Sequence, residues 1–175
     1  MGLKKGVGFR DAFYPLQSVV DFYMCKGSTV NLCLLDMSKA FHKVNHCGLY
    51  IKLMKRNLPR IYLRILINWY SKCCDNVTWD NVLSRCFSMV YGVRQRGALS
   101  PVLFVVYVDD IIERLNDSKL GCFIGDLYLG CIMYADDLIL ISVSVSIMQQ
   151  MIFICEKEAK YIDMKFNTYY GNSNW

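Results

Sequence analysis

Between Leu127 and Met148 lies the most apolar stretch of this 175-residue chain, about as long as the ~20 residues that cross a bilayer, yet Asp136 and Asp137 stand side by side near its middle. A carboxylate at the centre of a spanning helix costs ~3 kcal/mol, so two of them argue against a membrane segment. The runs Leu129 to Tyr134 and Leu138 to Val143 instead predict a β-hairpin with the acids at its tip. Like charges ~4 Å apart repel by ~4 kcal/mol at an effective dielectric of 20, and they persist best where cations neutralise them. The plainer alternative is a solvent-exposed Asp-Asp turn, since aspartate is a common turn residue.

Hydrophobic residues make up 54% of the chain and charged residues 20%, enough apolar material for a core and too much for disorder. Twenty Lys and Arg against 15 Asp and Glu leave +5, which is compatible with a polyanionic partner without requiring one. The nine cysteines include no C-x-x-C pair and the two histidines do not cluster. Zinc and a disulfide framework are therefore not expected, and reduced thiols fit an intracellular compartment, nucleus or cytoplasm. The start, MGLKKGVGFRDAFY, has positive charge but no apolar run after it and does not read as a secretory signal.

Pro15 predicts the first turn of a helix that stops near Gly27, followed by a strand through STVNLCLLD ending at Asp36. Residues 46–57 and 60–73 carry helical spacing and are separated by Pro59. Residues 76–80 and 84–91 read as strands. Leu99 to Leu115 reads as a long buried helix with Ser100 as its cap and Pro101 in its first turn. An amphipathic helix over 146–163 and a short strand over 164–168 complete an α/β (α+β) pattern. With both acid-bearing elements read as strands, one sheet edge could receive Asp36 and Asp136 together. Such a pair suits two divalent ions, and oxygen ligands select Mg²⁺ over zinc. A helix cap is the plainer role for Asp36.

LDMSKAF (35–41) with Val44 and His46, GVRQ (92–95), LSPVLF (99–104) and YADD (134–137) together resemble the fingers-palm core of reverse transcriptases, specifically those of LINE-type non-LTR retrotransposons. The resemblance covers about residues 7 to 168. It implies a polymerase palm, an antiparallel sheet packed on helices, with part of the fingers. It also implies RNA-directed DNA polymerase chemistry: two Mg²⁺ ions, or Mn²⁺ in their place, deoxynucleoside triphosphates, an RNA template and a DNA primer. Asp36 matches the first metal-binding acid, Asp136 the second, and Asp137 its neighbour with a less direct metal role. Phe41 matches the bulky side chain that excludes a 2′-hydroxyl, Gln95 the glutamine beside the incoming nucleotide, and Arg10 a fingers residue meeting template or nucleotide phosphate. For Phe41, Gln95 and Arg10 the plainer roles are a core aromatic, a loop amide and a surface charge. The cations Lys52, Lys55, Arg56, Arg60 and Arg64 are read as a solvated helix face rather than as phosphate contacts.

Three positions depart from the family pattern: His42 where an acid is usual, Arg96 where a glycine follows the glutamine, and Tyr170 where a lysine completes the Asn-x-x-Lys motif begun by Asn167. The expected organisation is a single partial domain, with residues 1–28 a fingers remnant, 29–168 a palm-like core and 169–175 a tail, the thumb missing. Competing readings are a non-catalytic decayed fragment with residual nucleic-acid binding and a reverse transcriptase of the group II intron maturase type.

Overall fold

The need of two apolar runs to pair and to hide one face builds the central sheet. The structure, a computed structural model, describes residues 9–37, 39–94, 97–134 and 136–167, without the side chains of residues 9–13 and 134. In chain order the elements are α1 (Phe9–Met24), β1 (Asn31–Met37), a 3₁₀ turn at Ala40–His42, α2 (His46–Lys55), α3 (Arg60–Ser71), β2 (Cys74–Asp75), β3 (Thr78–Trp79), β4 (Val82–Leu83), β5 (Phe87–Ser88), α4 (Ser100–Ser118), β6 (Phe123–Ile124), β7 (Leu127–Tyr128), β8 (Cys131–Tyr134), β9 (Asp137–Ser142), α5 (Val145–Tyr161) and β10 (Phe166–Asn167). The mixed α/β class expected from the sequence is what the chain adopts. Two compact units divide it, one of residues 1–40 with 108–175 and one of residues 41–107. Among the described residues no helix is long and apolar enough to cross a membrane.

In the first unit four strands form an antiparallel sheet in the order β10-β1-β9-β8. Its alternation follows the two-residue period of a strand: Leu35, Leu138 and Leu140 turn to one face and are buried there. Against that face packs α5, whose Met148, Met151, Cys155 and Ala159 recur at helical spacing and are buried. The opposite face is covered in part by α1, where Val19 meets Cys122 and Ile141. Tyr23 clamps this helix, its hydroxyl donating to the Phe123 carbonyl (2.9 Å) and accepting from the Phe123 amide (3.0 Å).

That clamp explains a departure from the sequence reading. Pro15 lies inside α1, which begins at Phe9, rather than at its first turn. Proline removes one intrahelical hydrogen bond and crowds the preceding turn. Packing of Leu16, Val19 and Tyr23, in the part of the helix after Pro15, holds the element regardless.

In the second unit, Asn45 caps α2 by accepting from the Gly48 amide (3.1 Å). Where two longer strands were expected over 76–80 and 84–91, the chain makes four of two residues each. β2 pairs with β5, and β3 pairs with β4. Asp80 and Asn81 both take positive φ (48° and 62°), as a two-residue type I′ hairpin requires. A second correction concerns the thiols: Cys74 and Cys86 form a disulfide, their Cα atoms 5.9 Å apart. The β2–β5 pairing sets Cys74 opposite Ser88, two positions from Cys86, a proximity that spacing along the chain does not reveal. Other cysteines remain free. Cys33, Cys131 and Cys155 share the α5 side of the sheet, where burial raises all three thiols, Cys131 to about 11, and keeps them protonated. Finally, Ser100 is the first residue of α4, and its hydroxyl donates back to the Arg94 carbonyl and ties the loop before the helix.

Candidate active site

A single row of side-by-side residues crosses the sheet at its acidic end: Asn167 on β10 opposite Asp36 on β1, Asp36 opposite Asp137 on β9, and Asp137 opposite Tyr134 on β8. Register makes this row. Pairing from Asn31↔Ser142 to Asp36↔Asp137 leaves no freedom for a one-residue slip, because a slip would turn the buried leucines outward. Asp136 follows immediately in the turn between β8 and β9, and its carbonyl accepts from the Met37 amide (3.4 Å). Acids a hundred residues apart in sequence are thus brought to one edge of one sheet.

Their electrostatics match that placement. Burial, then the neighbouring carboxylates of Asp136 and Asp36, push the Asp137 carboxyl above the usual carboxylate range. The Asn167 amide donates to Oδ2 of Asp36 and leaves Oδ1 to other partners. A cluster of hard oxygens under mutual repulsion is the donor set that Mg²⁺ prefers. Among the described residues no three His, Cys, Asp or Glu side chains form a ready-made metal cage. Magnesium does not demand one, since it is usually held by one or two carboxylates together with substrate phosphates.

Phe41 belongs to the second unit, half-buried, with its ring 4.9 Å from that of the fully buried Phe104. Its carbonyl accepts from the Val93 amide (2.7 Å), and the Gly92 amide donates to Val44 (2.8 Å). His46 completes the tie, its Nε2 bonded to the Gly92 carbonyl at 2.7 Å; a carbonyl only accepts, so the proton is on Nε2. The ring of His46 also packs on Tyr70, centroids 4.7 Å apart. Gly92 takes φ +89°, and a Cβ there would stand 3.1 Å from the His42 carbonyl oxygen. The turn from Phe41 to His46 is therefore tied to Gly92 and Val93.

Sequence reasoning placed Val44 and His46 in a motif but missed the structural work of Gly92, Tyr70 and Asn167; for Asn167 the signal was present, in the motif it begins. His42 is exposed at the end of the 3₁₀ turn. Gln95, Arg96 and Tyr170 lie outside the described residues, as does the side chain of Arg10, whose backbone belongs to α1.

The reverse transcriptase (RNA-dependent DNA polymerase) family matches residues 8–169, nearly the whole chain. The chain belongs to that family. Among curated relatives it is 31% identical over 106 residues to the retrovirus-related Pol polyprotein from type-2 retrotransposable element R2DM of Drosophila melanogaster, covering 61% of this chain and 10% of that protein. The retrovirus-related Pol polyprotein from type-1 retrotransposable element R2 of Popillia japonica is 28% identical over 127 residues, 72% of this chain and 21% of the relative. The RNA-directed DNA polymerase from mobile element jockey of Drosophila funebris is 27% identical over 117 residues, 67% and 12% respectively. The chain thus spans between about a tenth and a fifth of the length of these relatives. Their kind agrees with the LINE-type, non-LTR reverse transcriptase domain expected from the motifs.

Proposed function

We propose that this reverse transcriptase chain carries the catalytic core of an RNA-directed DNA polymerase, adding deoxynucleotides to a DNA primer on an RNA template by two-metal phosphoryl transfer. The observation that carries the reading is the row Asn167–Asp36–Asp137 with Asp136 in the adjoining turn. Asp36 and Asp136, assisted by Asp137, would hold two Mg²⁺ ions. When bound, such ions lower the pKa of an attacking hydroxyl and neutralise charge on the leaving pyrophosphate.

The chain's own residues supply position. Asn167 fixes one oxygen of Asp36, and the β1–β9 register fixes Asp36 relative to Asp137. Phe41, held at its carbonyl by Val93 and at its ring by Phe104, is a stiff wall suited to rejecting a 2′-hydroxyl. Gln95 and Arg10 are assigned to the nucleotide and to nucleic-acid phosphate on the strength of the family motifs.

Primer extension on poly(rA)/oligo(dT), together with thermal melting in the presence and absence of Mg²⁺, tests this. Mg²⁺ at ~10 times its dissociation constant should add ~1.4 kcal/mol of stability to the parent chain and nothing to Asp136→Asn. Extension should fall at least ~10³-fold in that variant. A melting temperature indifferent to millimolar Mg²⁺, with extension equal in the two proteins, would sink the proposal.

A further inference from the structure

Charge is divided very unevenly along the chain. Residues 41–107 hold ten Lys and Arg against two Asp and no Glu, a formal +8, whereas the remainder holds ten against thirteen, a formal −3. From Met37 to Cys74 there is no acidic residue at all. Four of the cations, Lys52, Lys55, Arg60 and Arg64, lie on α2 and α3, and Arg56 stands at the C-cap of α2. Lys52 is engaged internally, its Nζ donating to the Tyr107 carbonyl. Lys55, Arg60 and Arg64 are exposed. Arg60 and Arg64 stand one helical turn apart, ~6 Å along the axis, and with Ile61, Ile65 and Asn68 they line a shallow groove of about 580 Å³.

A helix face that merely meets water usually mixes charges of both signs, because Glu–Lys pairs at i,i+4 stabilise it and like pairs do the reverse. Here the like pair stands, and beside it Ile61 and Ile65 are 66% and 56% exposed. One class of ligand relieves both conditions at once: a polyanion whose phosphates meet the cations and whose sugars and bases cover the aliphatic side chains. We propose that the exposed face of α2 and α3 is a nucleic-acid-binding surface that contacts the phosphate backbone. It rests on the polymerase reading only for the identity of the polyanion.

The test is fluorescence anisotropy of the whole chain with a labelled RNA–DNA hybrid, across a potassium chloride series and without divalent ions. Each phosphate contact contributes ~0.9 to the slope of log affinity against log salt. Lys55→Gln/Arg60→Gln/Arg64→Gln should therefore flatten the slope by about 2 to 3 and weaken binding about 10²-fold near 0.1 M salt. The matched triple Lys119→Gln/Lys157→Gln/Lys160→Gln removes the same charge from the other unit and should leave the slope in place. Arg60→Lys/Arg64→Lys, with circular dichroism as a check on folding, should retain it as well. Equal losses in both triples, no loss in either, or binding to phosphatidylserine vesicles in preference to the hybrid would each overturn the proposal. Asp136→Asn separates this surface from catalysis: it should bind the hybrid with an unchanged slope even where extension fails.

Discussion

In the unit of residues 1–40 and 108–175, β1 and β9 pair from Asn31↔Ser142 to Asp36↔Asp137 and bury Leu138, Leu140 and Ile141 completely. Among the described residues of the unit 41–107 every strand is two residues long and every strand residue is exposed. The first arrangement fixes where a side chain stands by long register and a packed face. The second fixes it by local devices: a turn with two positive φ values, a disulfide, and a histidine bonded to a glycine carbonyl. Carboxylates that repel one another need the first kind of support, because only a continuous ladder keeps neighbouring strands from spreading under the charge.

The largest effect on stability should therefore come from the sheet. Leu140 is fully buried, with Cys33 and Cys131 as its partners on the neighbouring strands. Leu140→Ala removes contacts on the α5 side and leaves a cavity, at an expected cost of ~2–5 kcal/mol. Urea denaturation measures it. A loss below ~1 kcal/mol would mean the sheet is loosely packed and would break the contrast between the units.

Gly92→Ala probes the local devices. Its φ of +89° is strained for any side chain, and the new Cβ would press on the His42 and Phe41 carbonyls. Relief requires moving the loop, which would also stretch the His46 bond to Gly92. A cost of ~1–3 kcal/mol is expected from backbone strain, smaller than that of the core cavity. If Gly92→Ala costs more than Leu140→Ala in the same titration, the loop rather than the sheet is the keystone of the chain.

What could be read in the sequence follows the same division. The β8–β9 hairpin was legible because its two runs are apolar on both sides of paired acids, and no other element buries them so simply. The helices α2, α3, α4 and α5 were legible from their periodicity, as was a short last strand near Asn167. The ribbon of β2 to β5 was misread as two longer strands, since exposed two-residue pairs leave no burial pattern to find. Its disulfide was missed for the same reason: Cys74 and Cys86 meet only because of that nesting. Pro15 misled because tertiary packing of α1 overrides the local preference of proline. At the site, Asp36, Asp136 and Asp137 were named from motif and apolar context. The role of Asn167 needed the register of β10, which two residues of strand do not announce.

The smallest effect should be at the tip of the ribbon. Trp79 is 82% exposed, and its cross-strand partner Val82 is also exposed, so the indole has little apolar surface to lose. A cross-strand pair of this kind contributes ~0.2–1 kcal/mol, and part of that is retained by any residue that keeps the pairing. The Asp80-Asn81 turn and the Cys74–Cys86 bridge hold the ribbon independently of that side chain. Trp79→Ser should then change stability by no more than ~0.5 kcal/mol in urea, within the range of ordinary surface substitutions. A loss above ~1 kcal/mol would show that the indole is covered in solution, and the ribbon would have to be counted among the packed parts of the chain.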